Sequence, residues 1–258
     1  EVSGGRLERG YHHLFTSDVD MIWLIHELGL QHRLAWIESK VALYRDGRIW
    51  PFTTPIDLLR FGAINPLSRL RLGLATLKLR RAKEWRRFES STAATFLPHW
   101  VGRQAYEAVW EPLLRGKFGL HYDQVGMAWF WGKIALRLAS RSRGFGREKL
   151  GYPMGSFGEI FDTLAERIRF LGGQIHTQAN VRKIVVEDGR AVALNVELPG
   201  YEEDVQHFDA LIATVPSYIF PSLLTSLPAD YLEKLTRITY LAAVLVVLAL
   251  KHPLTWAY

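Results

Sequence analysis

The side chains able to carry catalysis on their own are scattered in this sequence and do not assemble into a familiar constellation. Nine histidines are present, but none stands at helical ligand spacing from another beside a carboxylate, as a metalloprotease helix requires. His12 and His13 are adjacent on a segment that reads as extended. Their rings therefore point to opposite faces and cannot share one ion, so no metal site is expected. With no cysteine, thiolate nucleophiles, thiolate metal sites and a disulfide framework are all excluded. Neither a G-x-S-x-G elbow nor a phosphate loop occurs. Gly144-Phe145-Gly146 starts like a dinucleotide loop, yet no strand leads into it and Lys149-Leu150 occupy the place of the third glycine. No residue is assigned a catalytic role. What remains is a turn whose small residues could let the backbone approach a bound group.

Ala213-Thr214-Val215-Pro216 is the turn best suited to approach such a group. A strand that ends in small residues lets its backbone come close to a dinucleotide or flavin. Taken alone, the turn is equally a plain strand end ahead of a proline. Its setting favours cofactor approach. Gly151-Tyr-Pro-Met-Gly-Ser-Phe-Gly-Glu159 leads into an amphipathic helix with Phe157, Ile160, Phe161, Leu164, Ile168 and Leu171 on one face. Ser156 and Glu159 are spaced as a capping box, and Gly172-Gly173 stops the helix. Strands are expected at Ile175, Val181–Val186 and Ala191–Val196, the last two joined by an Asp188-Gly189 hairpin, and again at Leu211–Ala213.

Upstream, Val2–Phe15 reads as extended. Ser17 and Asp18 are N-cap candidates for a helix bearing Met21, Ile22, Leu24, Ile25 and Leu28, closed by Gly29. Asp46-Gly47 between Val41–Tyr44 and Ile49–Phe52 is a hairpin. From Thr53 to Arg143 the pattern is mainly helical, with Asn65-Pro66 opening a helix whose Leu67, Leu70, Leu74 and Leu77 make one stripe, read as buried. Arg141–Gly151 reads as a loop or a domain crossover. Tyr240–Leu250 is too short to span a membrane and reads as a strand buried on both faces, stopped by Pro253. The chain starts at Glu1 rather than Met and ends just after that strand, so both ends read as trimmed.

Pro153-x-Gly155-Ser156-Phe157, the capped helix, Gly172-Gly173, Val181-Arg-Lys-Ile-Val185 and Asp209-Ala-Leu-Ile-Ala-Thr-Val-Pro216, in that order, resemble the FAD-dependent amine oxidase superfamily. That group includes protoporphyrinogen oxidases, phytoene desaturases and UDP-galactopyranose mutases. Leu7–Asp18, Tyr44–Phe52 and Trp110–Gly119 carry the resemblance through the upstream half. It implies an α/β chain in which a discontinuous, Rossmann-like FAD-binding domain holds an inserted, largely helical substrate domain. Residues 1–15 would be a strand segment near the flavin and 16–149 the cap. Residues 150–216 would be the return to the FAD domain, and 217–258 the start of the substrate-domain sheet. FAD is the implied cofactor. Val181 would meet its adenine half through the backbone, while Ala213, Thr214 and Pro216 would pass its phosphates and ribityl chain. Tyr11 and His12 would lie near the isoalloxazine, with Gly155, Ser156 and Phe157 lining the substrate pocket. The implied reaction is hydride transfer from a hydrophobic or amphipathic small molecule to flavin; in the mutase branch, reduced flavin works without net redox. Gly4-Gly5-Arg6 resembles the family's Gly-Gly-Arg pyrophosphate motif but stands too close to Tyr11-His12-His13, and reads rather as a strand turn. The G-x-G-x-x-G loop is absent. Without that loop the diphosphate loses its helix N-terminus, so these 258 residues alone are expected to retain FAD weakly or not at all.

Charge is concentrated in one place. Arg60–Arg87 holds nine basic residues against the single acid Glu84, whereas the whole chain carries a net +6. On a helical wheel at about 100° per residue, Leu72 and Leu79 form a second ridge away from the first stripe. Such a helix can rest on an anionic membrane surface, or it can pack on two sides with a solvated basic end. Trp85, Phe88 and Trp100 interleave with arginines, but no nucleic-acid-binding motif accompanies them, so no specific nucleic acid partner is expected. The competing function is a non-catalytic basic domain that binds a membrane or nucleic acid. An ordinary globular composition without cysteine or a leader pattern fits a cytoplasmic protein, peripheral to the inner face of the membrane.

Overall fold

Local turn chemistry explains most of the elements in the computed structural model, which describes residues 6–8, 10, 12–140, 147–200, 204–224, 226–252 and 254–256. The chain divides into two units, residues 1–164 with 245–258, and residues 165–244.

In the first unit, β1 (Leu14–Phe15) leads to α1 (Val19–Glu27). Asp18 precedes this helix without capping it; its carboxylate accepts instead from the Phe15 N–H at 2.8 Å. Gly29 ends the helix at φ +72°, where its N–H reaches His26 O and that of Leu30 reaches Ile25 O, both at 2.9 Å. These two bonds are the Schellman pattern, and only glycine takes that φ without strain. β2 (Leu34–Glu38) follows, then the hairpin of β3 (Ala42–Arg45) and β4 (Arg48–Pro51). Asp46 and Gly47 sit at φ +53° and +73°, as a two-residue turn matching strand twist requires.

Helices then dominate. α2 (Pro55–Arg60) has a complete capping box between Thr54 and Asp57, and α3 (Pro66–Arg81) is capped by Asn65, which accepts from the Ser68 N–H at 2.8 Å. α4 (Ala93–Val101) and the short α5 (Arg103–Ala105) run into a π-helical turn at Tyr106–Trp110, continued by α6 (Glu111–Phe118). Pro112 accounts for the wide turn, since it lacks an N–H and its ring would strike the carbonyl four residues back. Burial pushes the Tyr106 phenol in that turn up to about 12, with Glu111 adding to the effect. α7 (Met127–Ala139) completes the layer around a core that includes Phe61, Leu72, Phe88, Leu97, Met127 and Phe130.

α3 reverses one expectation. Leu72 and Leu79 are the core ridge, 2% and 4% exposed, whereas the stripe Leu67, Leu70, Leu74 and Leu77 is 75%, 56%, 52% and 44% exposed. The wheel holds two leucine faces, and the neighbours α4 and α7 cover the other one.

β5 (Lys149–Pro153) begins in the stretch read as loop and is the central strand of an antiparallel sheet ordered β1-β5-β2. Gly151 pairs with both Leu14 and Trp36, and a Cβ there would stand 3.0 Å from the Trp36 ring and 3.2 Å from Leu14 Cβ. α8 (Ser156–Phe170) starts beneath this sheet, where Phe157 and Ile160 join Leu14 and Ile25 in a small second core.

The second unit holds an antiparallel meander of β6 (Asn180–Glu187), β7 (Arg190–Glu197) and β8 (Asp204–His207), followed by α9 (Ala229–Thr236). Asp188 and Gly189, at φ +49° and +75°, make the expected hairpin turn. Ile175, Leu211–Ala213 and Tyr240–Leu250 are not strands: among the described residues nothing pairs with them, and a strand exists only with a ladder partner. Ile212 is accordingly 89% exposed. The described residues thus combine helices with three antiparallel sheets. No helix among them is long and apolar enough to cross a membrane.

Candidate functional site

The residues singled out from the sequence fall into two groups, one in each unit. Tyr11 lies outside the described residues, as do Gly4, Gly5, Gly144-Phe145-Gly146 and Pro253.

In the first unit the structure brings His12, Gly155, Ser156 and Phe157 together at the start of α8. The exposed His12 ring meets Phe157 edge-on, with centroids 5.4 Å apart. Phe157 is itself core, only 7% exposed. Ser156 sits at φ +62°, a left-handed conformation that a non-glycine residue keeps only when its surroundings hold it there. The anticipated capping box is replaced by other partners. The Ser156 hydroxyl accepts from the Gly158 N–H at 3.0 Å, and the Glu8 carboxylate accepts from the Phe157 N–H at 2.7 Å. Glu159 turns away to accept from Arg33 Nε at 3.1 Å. That carboxylate lies over Gly155, where a Cβ would come within 2.0 Å of Glu159 Oε2, so the glycine makes room for the Arg33–Glu159 pair. A charge-assisted bond of this half-buried kind fixes the turn more than it stabilises the fold. Arg6 reaches Asp162 one turn further on. The void next to these residues, lined by Ile25, Leu34, Pro153 and Ile160, measures about 10 Å³, which is space for a water and not for a substrate.

His13 points into a different setting, edge-on to Phe15 at 5.0 Å. Burial, then the positive charge of Arg137, hold its imidazole below the ordinary range, so it is neutral at pH 7. Among the described residues no group of three or more His, Asp or Glu side chains could hold a metal ion.

In the second unit Val181 lies on β6, the edge strand of the meander, so alternate backbone groups point away from the sheet. The ladder is irregular between Val181 and Lys183, where a bulge re-aims the strand. Ala213 and Val215 line an open cleft of about 650 Å³ with Ile184, Ser217, Phe220 and Tyr240. Among the described residues the backbone of Asp209–Val215 makes no hydrogen bond. It runs past the cleft with its amides free to meet a ligand. Thr214 is exposed on this run, and Pro216 ends it, its carbonyl accepting from Ile219 and Phe220 at 2.9 and 3.2 Å. The cleft therefore suits an extended molecule with both polar and apolar parts.

Sequence reasoning missed Ser217 and Tyr240 in this cleft. The Tyr240 hydroxyl accepts from the Ser217 N–H at 2.9 Å and donates to Ser217 Oγ at 3.2 Å. Its hydrogen bonding with the Ser217 side chain and N–H holds the phenol below its ordinary range. No local pattern joins residues so far apart in the chain. Glu8, Arg33 and Asp162 at the start of α8 escaped for the same reason.

The family model described as flavin containing amine oxidoreductase matches residues 1–257. Among solved structures, an oxidoreductase from Methanosarcina mazei shares 17% identity at a TM-score of 0.59, covering 79% of this chain and 47% of that one. A protein assigned as a protoporphyrinogen oxidase from Exiguobacterium sp. 255-15 shares 17% at 0.58, covering 90% and 53%. A CLA-producing fatty acid isomerase from P. acnes shares 16% at 0.56, covering 92% and 53%. At such identities the likeness is one of fold. The chain spans about half the length of these structures. No curated protein matches the sequence.

Proposed function

This chain belongs to the flavin-containing amine oxidoreductases, and from that premise we propose that it is the middle part of an FAD-dependent oxidoreductase acting on a hydrophobic or amphipathic small molecule. The observation that carries the reading is the family match over 1–257. We assign 150–216 to the return segment of a discontinuous Rossmann-like domain and 16–149 to the cap inserted in it.

The residues present fit FAD, on the evidence of the cleft in the second unit and the unpaired backbone that borders it. Ala213, Thr214 and Pro216 would hold the phosphates and ribityl chain, because small side chains and free amides let an anionic, extended group approach the backbone. Val181, on the free edge of β6, would hold the adenine half through its main chain. Bound flavin supplies the chemistry by accepting a hydride from a C–H bond beside a heteroatom or an activated carbon.

What the chain contributes is position and exclusion of water. His12, Gly155, Ser156 and Phe157 would border the reacting end, where a rigid turn held by Glu8 and Arg33 keeps its groups in place. The oxidation removes a hydride and a proton: the hydride would go to bound flavin, and the proton would leave the neighbouring heteroatom or carbon for solvent, so the part of these residues is to position the C–H bond. The lipophilic substrate is supported by the names of two proteins that share the fold, a protoporphyrinogen oxidase and a fatty acid isomerase.

Anaerobic mixing of the full-length flavoprotein with a panel of hydrophobic amines, acids and polyenes, followed by flavin absorbance, tests the proposal. Bleaching by at least one apolar member is expected. Reduction by dithionite alone, with no response to any member, would count against the substrate class.

A further inference from the structure

α3 presents an apolar face that no other element among the described residues covers. At about 1.5 Å per residue the helix is about 24 Å long, and Leu67, Leu70, Leu74 and Leu77 run along it at 44% to 75% exposure. A face of four leucines left in water is unusual, because each forfeits most of what burial would contribute. On the same arc, and also exposed, lie Lys78 and Arg81. Arg71 shares the arc but is committed elsewhere, donating to Trp100 O at 3.1 Å and His99 O at 2.5 Å. α2 packs on α3, Leu58 standing close to Gly73, and adds two more exposed apolar residues, Ile56 and Leu59. Between Asp57 and Glu84 the sequence holds no acid, and among the described residues neither Lys78 nor Arg81 forms an ion pair.

We propose that this face of α3 docks on an anionic lipid surface, the leucines entering the acyl boundary while Lys78 and Arg81 meet headgroup phosphates. The combination selects the occupant. A nucleic acid satisfies the cations but gives the leucines nothing apolar to enter. A second copy of the chain, paired across a two-fold axis, would bury the leucines but bring Lys78 and Arg81 against their own images. An anionic bilayer satisfies both requirements, as in helices that lie in the membrane interface. The inference stands on α3 alone and is independent of the redox reading.

The test is sedimentation of the full-length protein with vesicles of phosphatidylcholine, and of phosphatidylcholine mixed with phosphatidylglycerol. Binding at least tenfold stronger to the anionic vesicles is expected, weakened by about 0.5 M salt through screening of the cations. Leu70→Glu/Leu74→Glu and Lys78→Glu/Arg81→Glu should each lose about tenfold or more, since one cation at the surface is itself worth about fivefold. All four side chains are exposed, so unfolding transitions and flavin content should match wild type. Equal binding to both vesicle types, no binding to either, or binding unchanged in both variants would overturn the proposal. So would retention of an oligonucleotide that survives the leucine changes, or a dimer that Leu70→Glu/Leu74→Glu dissociates.

Discussion

Cutting Phe61 back to alanine is expected to destabilise the first unit by about 3–5 kcal/mol, the range for losing a fully buried aromatic. Phe61 is 0% exposed. Its ring meets those of Trp50 and Phe52 edge-on, with centroids 5.6 and 5.3 Å apart, so it ties the β3–β4 hairpin to the end of α2. The site cannot collapse to fill the hole. Gly62 already stands so close that an added Cβ would be 2.9 Å from the Trp50 ring. Phe61→Leu should retain more than half of the lost stability, because it keeps most of the volume. Denaturant midpoints of the three proteins measure this directly. A loss below about 1 kcal/mol for Phe61→Ala would show that the hairpin is not anchored there.

Ala213→Trp in the full-length protein is expected to cut the purified flavin content at least tenfold. The side chain at 213 faces the open cleft, and an indole there would fill the space past which an extended cofactor must run. Ala213 is exposed and its neighbours make no ladder, so the substitution should shift the unfolding transition of flavin-free protein by no more than about 0.5 kcal/mol. The two readouts separate a blocked site from a damaged fold. Undiminished flavin in Ala213→Trp would move the cofactor away from this segment.

What could be read from the sequence was decided by short-range chemistry. Asp46-Gly47, Asp188-Gly189 and Gly29 demand positive φ, and the turns and helix stop lie where those residues stand. Thr54 and Asn65 cap α2 and α3 through side chains three residues from their donors. The misreadings share one cause, that the deciding partner is distant in the chain. Ser156 and Glu159 have capping-box spacing, but Arg33, distant in the chain, takes the Glu159 carboxylate. The leucines of α3 form two faces of similar apolar character, and only packing decides that Leu72 and Leu79 are inside. β5 contains Gly151 and Pro153 and reads as loop until β1 and β2 are seen on either side of it. Leu211–Ala213 and Tyr240–Leu250 have strand composition without a strand's partner. For the candidate site, the small-residue turn at Ala213–Pro216 was visible in the sequence because its signal is purely local composition. The Ser217–Tyr240 pair across the same cleft was not, since nothing local connects the two residues.

The central claim, that this chain carries FAD along Asp209–Pro216, is tested most directly by hydrogen exchange on the full-length protein with and without FAD. The account predicts that amides of Asp209–Val215, together with those around Val181, slow markedly when FAD is bound. Protection confined to other segments, with Asp209–Val215 exchanging equally fast in both states, would contradict it.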